Sequence, residues 1–225
     1  ENVTYTYDVT EYTHDNGETY EPVHAIGRLF RIDDQSGVQF YGYDDKGNVR
    51  THIQAIGHDA TDPSLPVHWT NYLYNRSGNL ESIDRYVGED LVNYINYLYD
   101  STGRVISAEY GAESNRGLRR PLVDSIIYQP LGPISQIDYA NGITTQHTYD
   151  QDYRLTQQLT QGSSDPLMNR SYQYDANGNI VVIEHDAEPA VSSFGYDALD
   201  RLERTEKGAD VSLFASVSRE TYTYD

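Results

Sequence analysis

The chain has 225 residues and a formal net charge of −19, which arises from 35 acidic and 16 basic residues. A negative field of this size disfavours binding to nucleic acid and to anionic membrane surfaces, because both attract proteins through accumulated positive charge. The absence of cysteine excludes disulfides, thiolate metal sites and a cysteine nucleophile. Tyrosine dominates the aromatic residues, with 22 Tyr against 4 Phe, so the packed layer should be amphipathic and hydrogen-bonded at its hydroxyl groups.

The sequence Tyr-x-Tyr-Asp, or a close variant of it, recurs along the chain. Complete copies end at Asp8, Asp44, Asn75, Asp100, Asp175 and Asp225, and weaker copies end at Asp150 and Asp197. The steps between consecutive copies are 36, 31, 25, 50, 25, 22 and 28 residues, and a degenerate copy around Tyr128 would divide the longest step. Such spacings are typical of stacked supersecondary units rather than of an enzyme domain with one core.

The predicted structural residues of these repeats are the paired tyrosines, the closing acid or amide, and the turn glycine or arginine. They are Tyr5, Tyr7, Asp8, Tyr41, Tyr43, Asp44, Gly47, Tyr72, Tyr74, Asn75, Gly78, Tyr97, Tyr99, Asp100, Gly103, Arg104, Tyr149, Asp150, Tyr172, Tyr174, Asp175, Gly178, Tyr196, Asp197, Arg201, Tyr222, Tyr224 and Asp225.

Each repeat is predicted to fold as a β-hairpin, as residues 172–183 illustrate. Tyr172 and Tyr174 are two positions apart, so they project from the same face of a strand. Asp175 can accept hydrogen bonds from backbone amides of the turn, and Gly178 can supply the positive φ that closes a type I turn with a bulge. The copies with Gly47, Gly78 and Gly103 conform to this mechanism.

Four places depart from the pattern. Asp200 is an acceptable substitute for the turn glycine, whereas Tyr153 and Glu11 are not, so we expect irregular loops at those two turns. The triplet Gly27-Arg28-Leu29 resembles the second half of a repeat whose first half has diverged.

The longest loops are predicted around residues 57–66, 112–121, 162–166 and 185–189, where Gly, Ser, Asp and Pro cluster. No helical pattern of useful length is present, and the best candidates are short turns near Leu65 and Leu213. The predicted fold class is all-β, with tandem antiparallel β-hairpins forming a spiralling sheet, either a shell wall or a β-solenoid-like array. We expect one continuous array over residues 1–225, as an internal fragment of a larger protein, because the chain lacks an initiator Met and stops inside a repeat.

The acidic turns offer the oxygen ligands that calcium prefers, but residues 44–48 and 175–179 lack the later Glu of a calcium loop. A hairpin turn that begins with Asp explains the same residues. Seven His are scattered without the spacing of a zinc site, and His52 and His58 would meet only through an irregular loop. No Gly-x-Ser-x-Gly elbow, phosphate loop or catalytic carboxylate pair is recognisable. We therefore predict no catalytic, metal-binding or cofactor-binding residue.

The tyrosine pairs have two interpretations. They would form a platform for sugars or protein partners if exposed, but ladders that bind one hairpin to the next are the favoured interpretation. Trp69 is the best candidate for a surface aromatic residue, although a buried anchor is favoured for it as well.

The extended pattern Tyr-x-Tyr-Asp-x-x-Gly, followed by Arg or Asn and an aliphatic residue, occurs at residues 97–105 and 172–180. It resembles the YD repeats of Rhs proteins, and related repeats occur in insecticidal toxin-complex subunits and in teneurins. Residues 132–150, with Asn141-Gly142, are similar to the Asn-Gly variant of that repeat. The resemblance implies a sheet of hairpins that spirals into a hollow shell, around a toxin in bacterial members and as an adhesion scaffold in teneurins. The family's self-cleaving core region has no recognisable counterpart here.

The predicted function is therefore a non-enzymatic structural segment of an Rhs/YD-repeat protein, building a secreted or surface shell around a toxin cargo, extracellular and bacterial. The alternative is an extracellular adhesion or self-assembling fibre module. Expected partners are further YD repeats of the same chain or of identical copies, and beyond these an enclosed toxin polypeptide or a cell-surface receptor or glycan. Nucleic-acid binding and membrane insertion are not expected.

Overall fold

The computed structural model describes residues 3–13, 19–20, 22, 24–56, 67–112, 119–164, 166–185, 190–208 and 218–224. These residues form antiparallel β-strands and turns, so the predicted all-β class of tandem hairpins is confirmed. The described part of the chain contains no helix long and apolar enough to cross a membrane. Two compact units are present, Glu1–Pro121 and Leu122–Asp225.

The first unit is an antiparallel ladder in which β1 pairs with β4, and each strand from β4 to β9 pairs with the next. The short strands β2 and β3 pair with each other alone. The strands are β1 (Thr4–Tyr7), β2 (Tyr12–Thr13), β3 (Thr19–Tyr20), β4 (Leu29–Asp34), β5 (Gly37–Tyr43), β6 (Val49–Ile56), β7 (Val67–Tyr74), β8 (Leu80–Val87), β9 (Asp90–Tyr99) and β10 (Val105–Ala112).

The second unit is a ladder in which each strand from β11 to β18 pairs with the next. The strands are β11 (Arg120–Tyr128), β12 (Ile134–Tyr139), β13 (Thr144–Tyr149), β14 (Leu155–Gln161), β15 (Pro166–Tyr174), β16 (Ile180–His185), β17 (Ala190–Tyr196), β18 (Leu202–Gly208) and β19 (Ser218–Thr221). Residues with high strand propensity, chiefly Tyr, Thr, Ile and Val, fill these segments.

A register shift marks the turn end of the YD hairpins. In the β15–β16 hairpin, Gln173 pairs with Val182 but Tyr174 pairs with Ile180, so Val181 is an extra residue on the second strand. The same one-residue bulge accompanies the second tyrosine at Tyr43, Tyr74, Tyr149 and Tyr196. The predicted turn with a bulge is thus the local structure of these repeats.

Register assigns the side chains of the second unit to two faces. Tyr172 pairs with Ile183, and Ile126 pairs with Ile137; we call the face that carries the paired tyrosines the tyrosine face. The opposite face, here named the polar face, carries hydrogen-bonded groups. Ser125 donates to Asp138 at 2.5 Å, Ser171 to Glu184 at 3.0 Å and Arg219 Nε to Glu206 at 2.7 Å. Because successive residues of a strand alternate between faces, these acid-containing pairs lie on the face opposite the paired tyrosines.

Few side chains are fully removed from solvent, because the strands pack mainly against their neighbours in the ladder. In the first unit, the buried apolar residues are Ala25, Phe30, Val38, Ala55 and Ala108. Trp69 lies on β7 with 39% of its surface exposed, so the favoured interpretation of this residue as a buried anchor was wrong. Its cross-strand pairing partners are Ile53 and Tyr86.

The expected irregular loop at Tyr153 was also wrong. Tyr153 adopts φ 59°, and its amide donates to the Asp150 carbonyl at 3.1 Å, as the turn glycine does in other repeats. The strained backbone is stabilised by its side chain, whose ring lies against Gly132 and whose hydroxyl donates to the Pro130 carbonyl at 3.0 Å.

The triplet Gly27-Arg28-Leu29 belongs to the first repeat, so the inference of a diverged first half was wrong. Asp8 Oδ1 accepts a hydrogen bond from the Gly27 amide at 2.5 Å, and the Asp8 amide donates to the Arg28 carbonyl at 3.3 Å. Tyr7 pairs with Leu29 after the usual register shift. Residues 9–26, which include β2 and β3, are thus an insertion within one YD turn, and this turn differs from the others as expected from Glu11.

Several predictions concern residues outside the described part of the chain. They are the loops at residues 57–66, 113–118 and 186–189, the position 165, and the features proposed at His58, Leu65, Leu213 and Asp225.

The turn glycines give a first testable prediction. Gly178 has φ 92°, and a methyl group added there would meet no atom within 4 Å, so Gly178→Ala isolates the conformational penalty. We expect a loss of about 1 kcal/mol in the free energy of opening of the β15–β16 hairpin, measured by amide hydrogen exchange. Gly162→Ala is the control, because Gly162 also has open space but lacks a positive φ. Equal effects of the two substitutions would contradict the prediction.

Candidate functional site

The YD turns form one edge of each unit, and every turn is closed by the acid or amide at its start. In the turn after β15, Asp175 Oδ1 accepts hydrogen bonds from the amides of Asn177 and Asn179 at 3.0 and 2.8 Å. The Asp175 amide donates to the Asn179 carbonyl at 3.0 Å, and the Gly178 amide donates to the Asp175 carbonyl at 3.2 Å. The same four bonds occur at Asp44, Asn75, Asp100, Asp150 and Asp197.

The second carboxylate oxygen binds the side chain four residues later. Nε of Arg104, Arg154 and Arg201 donates to Oδ2 of the turn Asp at 2.8, 2.7 and 2.7 Å, respectively. Asn48 and Asn179 use Nδ2 for the same contact, at 2.9 and 3.1 Å. This use of both oxygens explains why Arg or Asn follows the turn glycine in the repeat.

These hydrogen bonds favour the ionised form of the turn acids. The Asn48 side chain lowers the pKa of Asp44, the Arg154 amide lowers that of Asp150, and the Arg201 amide lowers that of Asp197. Thr102 and the Arg104 amide lower the pKa of Asp100 well below its usual range.

A pH prediction follows from Asp44. Since its pKa is lower in the folded protein, its contribution to stability is present above the unfolded pKa of 3.8 and is lost as the pH falls through the folded pKa. Asp44→Asn reproduces the natural Asn75 turn and should flatten the acid limb of stability against pH below the unfolded pKa of 3.8. Urea unfolding followed by the fluorescence of Trp69 measures this limb. Asp45→Asn, at an exposed neighbouring position, is the control and should leave the shape of the limb unchanged.

A ladder of tyrosine hydroxyl groups joins consecutive hairpins. The second tyrosine of a pair donates to the carbonyl of the first strand residue after the preceding turn, with O–O distances from 2.5 to 3.0 Å. The pairs are Tyr43 with Leu29, Tyr74 with Val49, Tyr99 with Leu80, Tyr149 with Ile134, Tyr174 with Leu155, Tyr196 with Ile180 and Tyr224 with Leu202. The two tyrosines of a repeat therefore have different environments, and it is the second that spans the inter-repeat junction.

The turn arginines contribute to the same junctions. The guanidinium of Arg28 lies 5.4 Å from the ring centroid of Tyr43, and that of Arg154 lies 5.0 Å from the ring of Tyr174. Arg201 stands in the same relation to Tyr224, at 4.6 Å. In these repeats one arginine caps its own turn and stacks on the tyrosine of the next hairpin.

The first tyrosines have more varied contacts. Tyr41 stacks on His52 with centroids 4.8 Å apart and donates to Gln39 Oε1 at 3.0 Å, while His52 Nε2 lies 3.0 Å from the same oxygen. Burial lowers the pKa of His52, so the neutral ring is favoured at this position. The hydroxyl of Tyr222 donates to Glu220 at 2.8 Å, and Tyr5 and Tyr7 on β1 are exposed.

Two turns of the second unit have the same backbone hydrogen bonds as the YD turns, although their residues differ. The Gln129 amide donates to the Pro133 carbonyl at 2.9 Å, which makes β11–β12 the degenerate hairpin expected around Tyr128. There the positive φ belongs to Leu131, at 54°, a residue that sequence reasoning did not single out. At the opposite edge of this unit, Tyr139, Asn141 and Gly142 close the β12–β13 turn, and only the Asn-Gly pair signalled this turn.

The described residues include no group of three or more His, Asp or Glu side chains that could hold a metal ion. The turn carboxylates direct both oxygens at donors of their own repeat. The chemistry of this edge is therefore internal capping and inter-repeat adhesion.

Comparison with known proteins agrees with this geometry. The family model described as Teneurin YD-shell matches residues 117–225. This match supports the resemblance to Rhs/YD-repeat proteins for residues 117–225. Its YD hairpins also superpose on solved toxin-complex structures, and no curated protein sequence matches the chain.

Two of those structures show the extent of the similarity. In a crystal structure of TcdB2-TccC3-Cdc42, the match covers 99% of this chain at a TM-score of 0.67 with 17% identity. In a structure of TcdB2-TccC3, it covers 89% at a TM-score of 0.66 with 19% identity. At these identities the likeness concerns the fold. The chain spans only 13% and 12% of the lengths of those two matched chains.

Proposed function

We propose that the YD-repeat chain is a non-enzymatic wall segment of a secreted bacterial shell that encloses a toxin polypeptide. The observation that carries the proposal is the tyrosine ladder, which joins hairpin to hairpin within each unit through main-chain acceptors and so supports a role as a wall built from variable sequences. The coarser statement, a structural role in a YD shell, is supported by the match of residues 117–225 to the YD-shell family model. We further propose that residues 1–225 form one continuous array and that the repeat residues named above define it.

The chemistry of the turn edge supports a structural role. Asp44, Asp150 and Asp175 each use both oxygens within their own turn, which leaves them poorly suited to proton transfer. A wall is also favoured by the two different faces of the second unit, since a single sheet layer with acidic groups on one face and tyrosines on the other can divide two environments. Enclosure is what the resemblance to Rhs proteins implies, and enclosure by this chain is part of the proposal.

The test uses the full natural polypeptide that contains this segment. We expect electron microscopy of the native particle to show a hollow body, and limited proteolysis with mass spectrometry to show an uncut polypeptide inside it. The double variant Tyr174→Phe/Tyr196→Phe should increase cleavage of the enclosed polypeptide, because it removes two junction hydrogen bonds. Tyr172→Phe is the matched control, since it alters an adjacent tyrosine that is outside the ladder.

Filaments without enclosed density, or an inner polypeptide cut as fast as in the free state, would contradict enclosure. Filaments would support the alternative, a self-assembling fibre or adhesion module built from the same repeats.

A further inference from the structure

Four polar side chains lie in one cross-strand row on the tyrosine face of the second unit. His147 on β13 pairs with Gln158 on β14, Gln158 pairs with Arg170 on β15, and Arg170 pairs with His185 on β16. All four residues are half-buried. The row has a nitrogen-bearing side chain on each of four consecutive strands. Because neighbouring strands are about 4.8 Å apart, adjacent members of the row lie side by side. We call these four residues the donor row.

Arg170 is an inner member of the donor row. Its Nε is buried from solvent and has no hydrogen-bond partner among the residues that the structure describes. Arg104, Arg154 and Arg201, by contrast, each bind a turn aspartate. A buried guanidinium Nε–H without an acceptor carries a desolvation cost that a bound anion would offset. Within the described part of the chain, His147 Nδ1 is likewise buried and without a partner, while the imidazole also has a backbone hydrogen bond with Ile134. Two members of the row therefore each have one atom with unused hydrogen-bonding capacity.

The strands around the row are unusually poor in acid for this chain. Glu184 is the only carboxylate residue on β13 to β16, although the whole chain has 35 acidic residues. Glu184 pairs with Ser171 on the polar face and accepts its hydroxyl at 3.0 Å, so it does not face Arg170. Immediate like-charge repulsion of an anion is therefore reduced at the row, and an arginine fork can hold two oxygens of one anion.

The row is bordered by residues that would shape a small ligand site. Tyr172 and Ile183 form the next pair on the tyrosine face toward the YD turns, and Thr160 and Met168 form the next such pair away from them. Apolar groups beside charged donors reduce local hydration and strengthen the electrostatic contact with a bound anion.

The first unit contains a comparable cross-strand row, but its side chains have different surroundings. His52 pairs with Thr70, Thr70 with Arg85, and Arg85 with Asn93. Here Arg85 is exposed, and His52 already contacts Gln39. Arg85 therefore provides a matched control for Arg170. It is an arginine at an equivalent register position, but its side chain is exposed to solvent.

We propose that the donor row binds an oxyanion of the carboxylate or phosphate class, with Arg170 as the principal binding residue and Gln158, His147 and His185 as flanking donors. The ligand is either free inorganic phosphate or the carboxylate side chain of a bound polypeptide. This inference does not rest on enclosure of a toxin, because the row is a property of four adjacent strands.

The experiment is a titration of the chain at low ionic strength, with inorganic phosphate in one arm and a soluble glutamate-rich peptide in the other. Imidazole resonances of His147 and His185 report binding at the row by NMR. We expect one arm to shift these resonances saturably, and Arg170→Gln to weaken that binding at least about tenfold. Arg85→Gln should leave it unchanged. Arg170→Lys should also bind more weakly, since a lysine cannot form the two-pronged contact.

Gln158→Leu provides a second variant should Arg170→Gln fail to fold, and it is expected to weaken binding less than Arg170→Gln. Saturation by phosphate would identify the free ion as the ligand, and saturation by the peptide alone would identify side-chain carboxylates. Absence of saturable shifts in both arms, or equal binding by folded Arg170→Gln, would overturn the proposal. Neither result would contradict the proposed shell function, because that function does not depend on anion binding at the donor row.

Discussion

Substitution of Gly111 by Ala is expected to destabilise the first unit by about 2 kcal/mol. Gly111 on β10 pairs with Tyr94 on β9, and a Cβ atom built on Gly111 would overlap atoms of the Tyr94 ring. The phenol group must therefore leave its position over the glycine, which removes its packing against β10. Urea unfolding of the first unit, followed by the fluorescence of the single tryptophan, measures the loss.

The cause can be separated from any general effect of alanine in β10. In the double variant Tyr94→Ala/Gly111→Ala, the added methyl group has room, so Gly111→Ala should cost much less than in the presence of Tyr94. Gly162→Ala is a further control, because its new methyl group would have no atom within 4 Å. Additive effects of the two substitutions in the double variant would show that the ring and the glycine are not coupled.

Replacement of Tyr174 by Phe should destabilise the junction between the β13–β14 and β15–β16 hairpins by about 1 kcal/mol. The hydroxyl of Tyr174 donates to the Leu155 carbonyl at 2.8 Å, and its loss leaves that carbonyl without this donor while the ring remains over Arg154. Amide hydrogen exchange on β14, β15 and β16 measures the change locally.

Tyr172→Phe is the matched control because Tyr172 lies two residues away on the same strand and face. It should change protection by less than half as much as Tyr174→Phe. Equal effects would mean that the ladder hydrogen bonds do not distinguish the second tyrosine from the first.

Local chemistry made much of the fold predictable from the sequence. Asp followed three residues later by Gly has few structural solutions, and Asp175 with Gly178 adopts the expected one. Tyr153 was misjudged because its left-handed backbone is stabilised by a contact with Gly132, a residue of another hairpin. No pattern within a single turn contains that information.

The candidate sites were predictable to different degrees. The tyrosine pairs are visible in the sequence, but the different role of the second tyrosine depends on which carbonyl its hydroxyl reaches. The donor row is even harder to predict from the sequence. Its members Gln158 and Arg170 face each other only in the register of β14 and β15, and bulges in the neighbouring hairpins shift that register by one residue. Sequence spacing alone therefore cannot place these side chains on one face.

The first YD turn shows how new sequence can enter this fold. Eighteen residues, 9–26, separate Asp8 from Gly27, whereas only two separate Asp44 from Gly47. Asp8 nevertheless binds the Gly27 amide, and β1 pairs with β4. Since the cost of closing a loop grows only slowly with its length, a turn held by such a clasp can accept foreign segments. The YD turn is thus a grafting point, where an epitope or a small binding domain can be installed while the flanking strands keep their pairing.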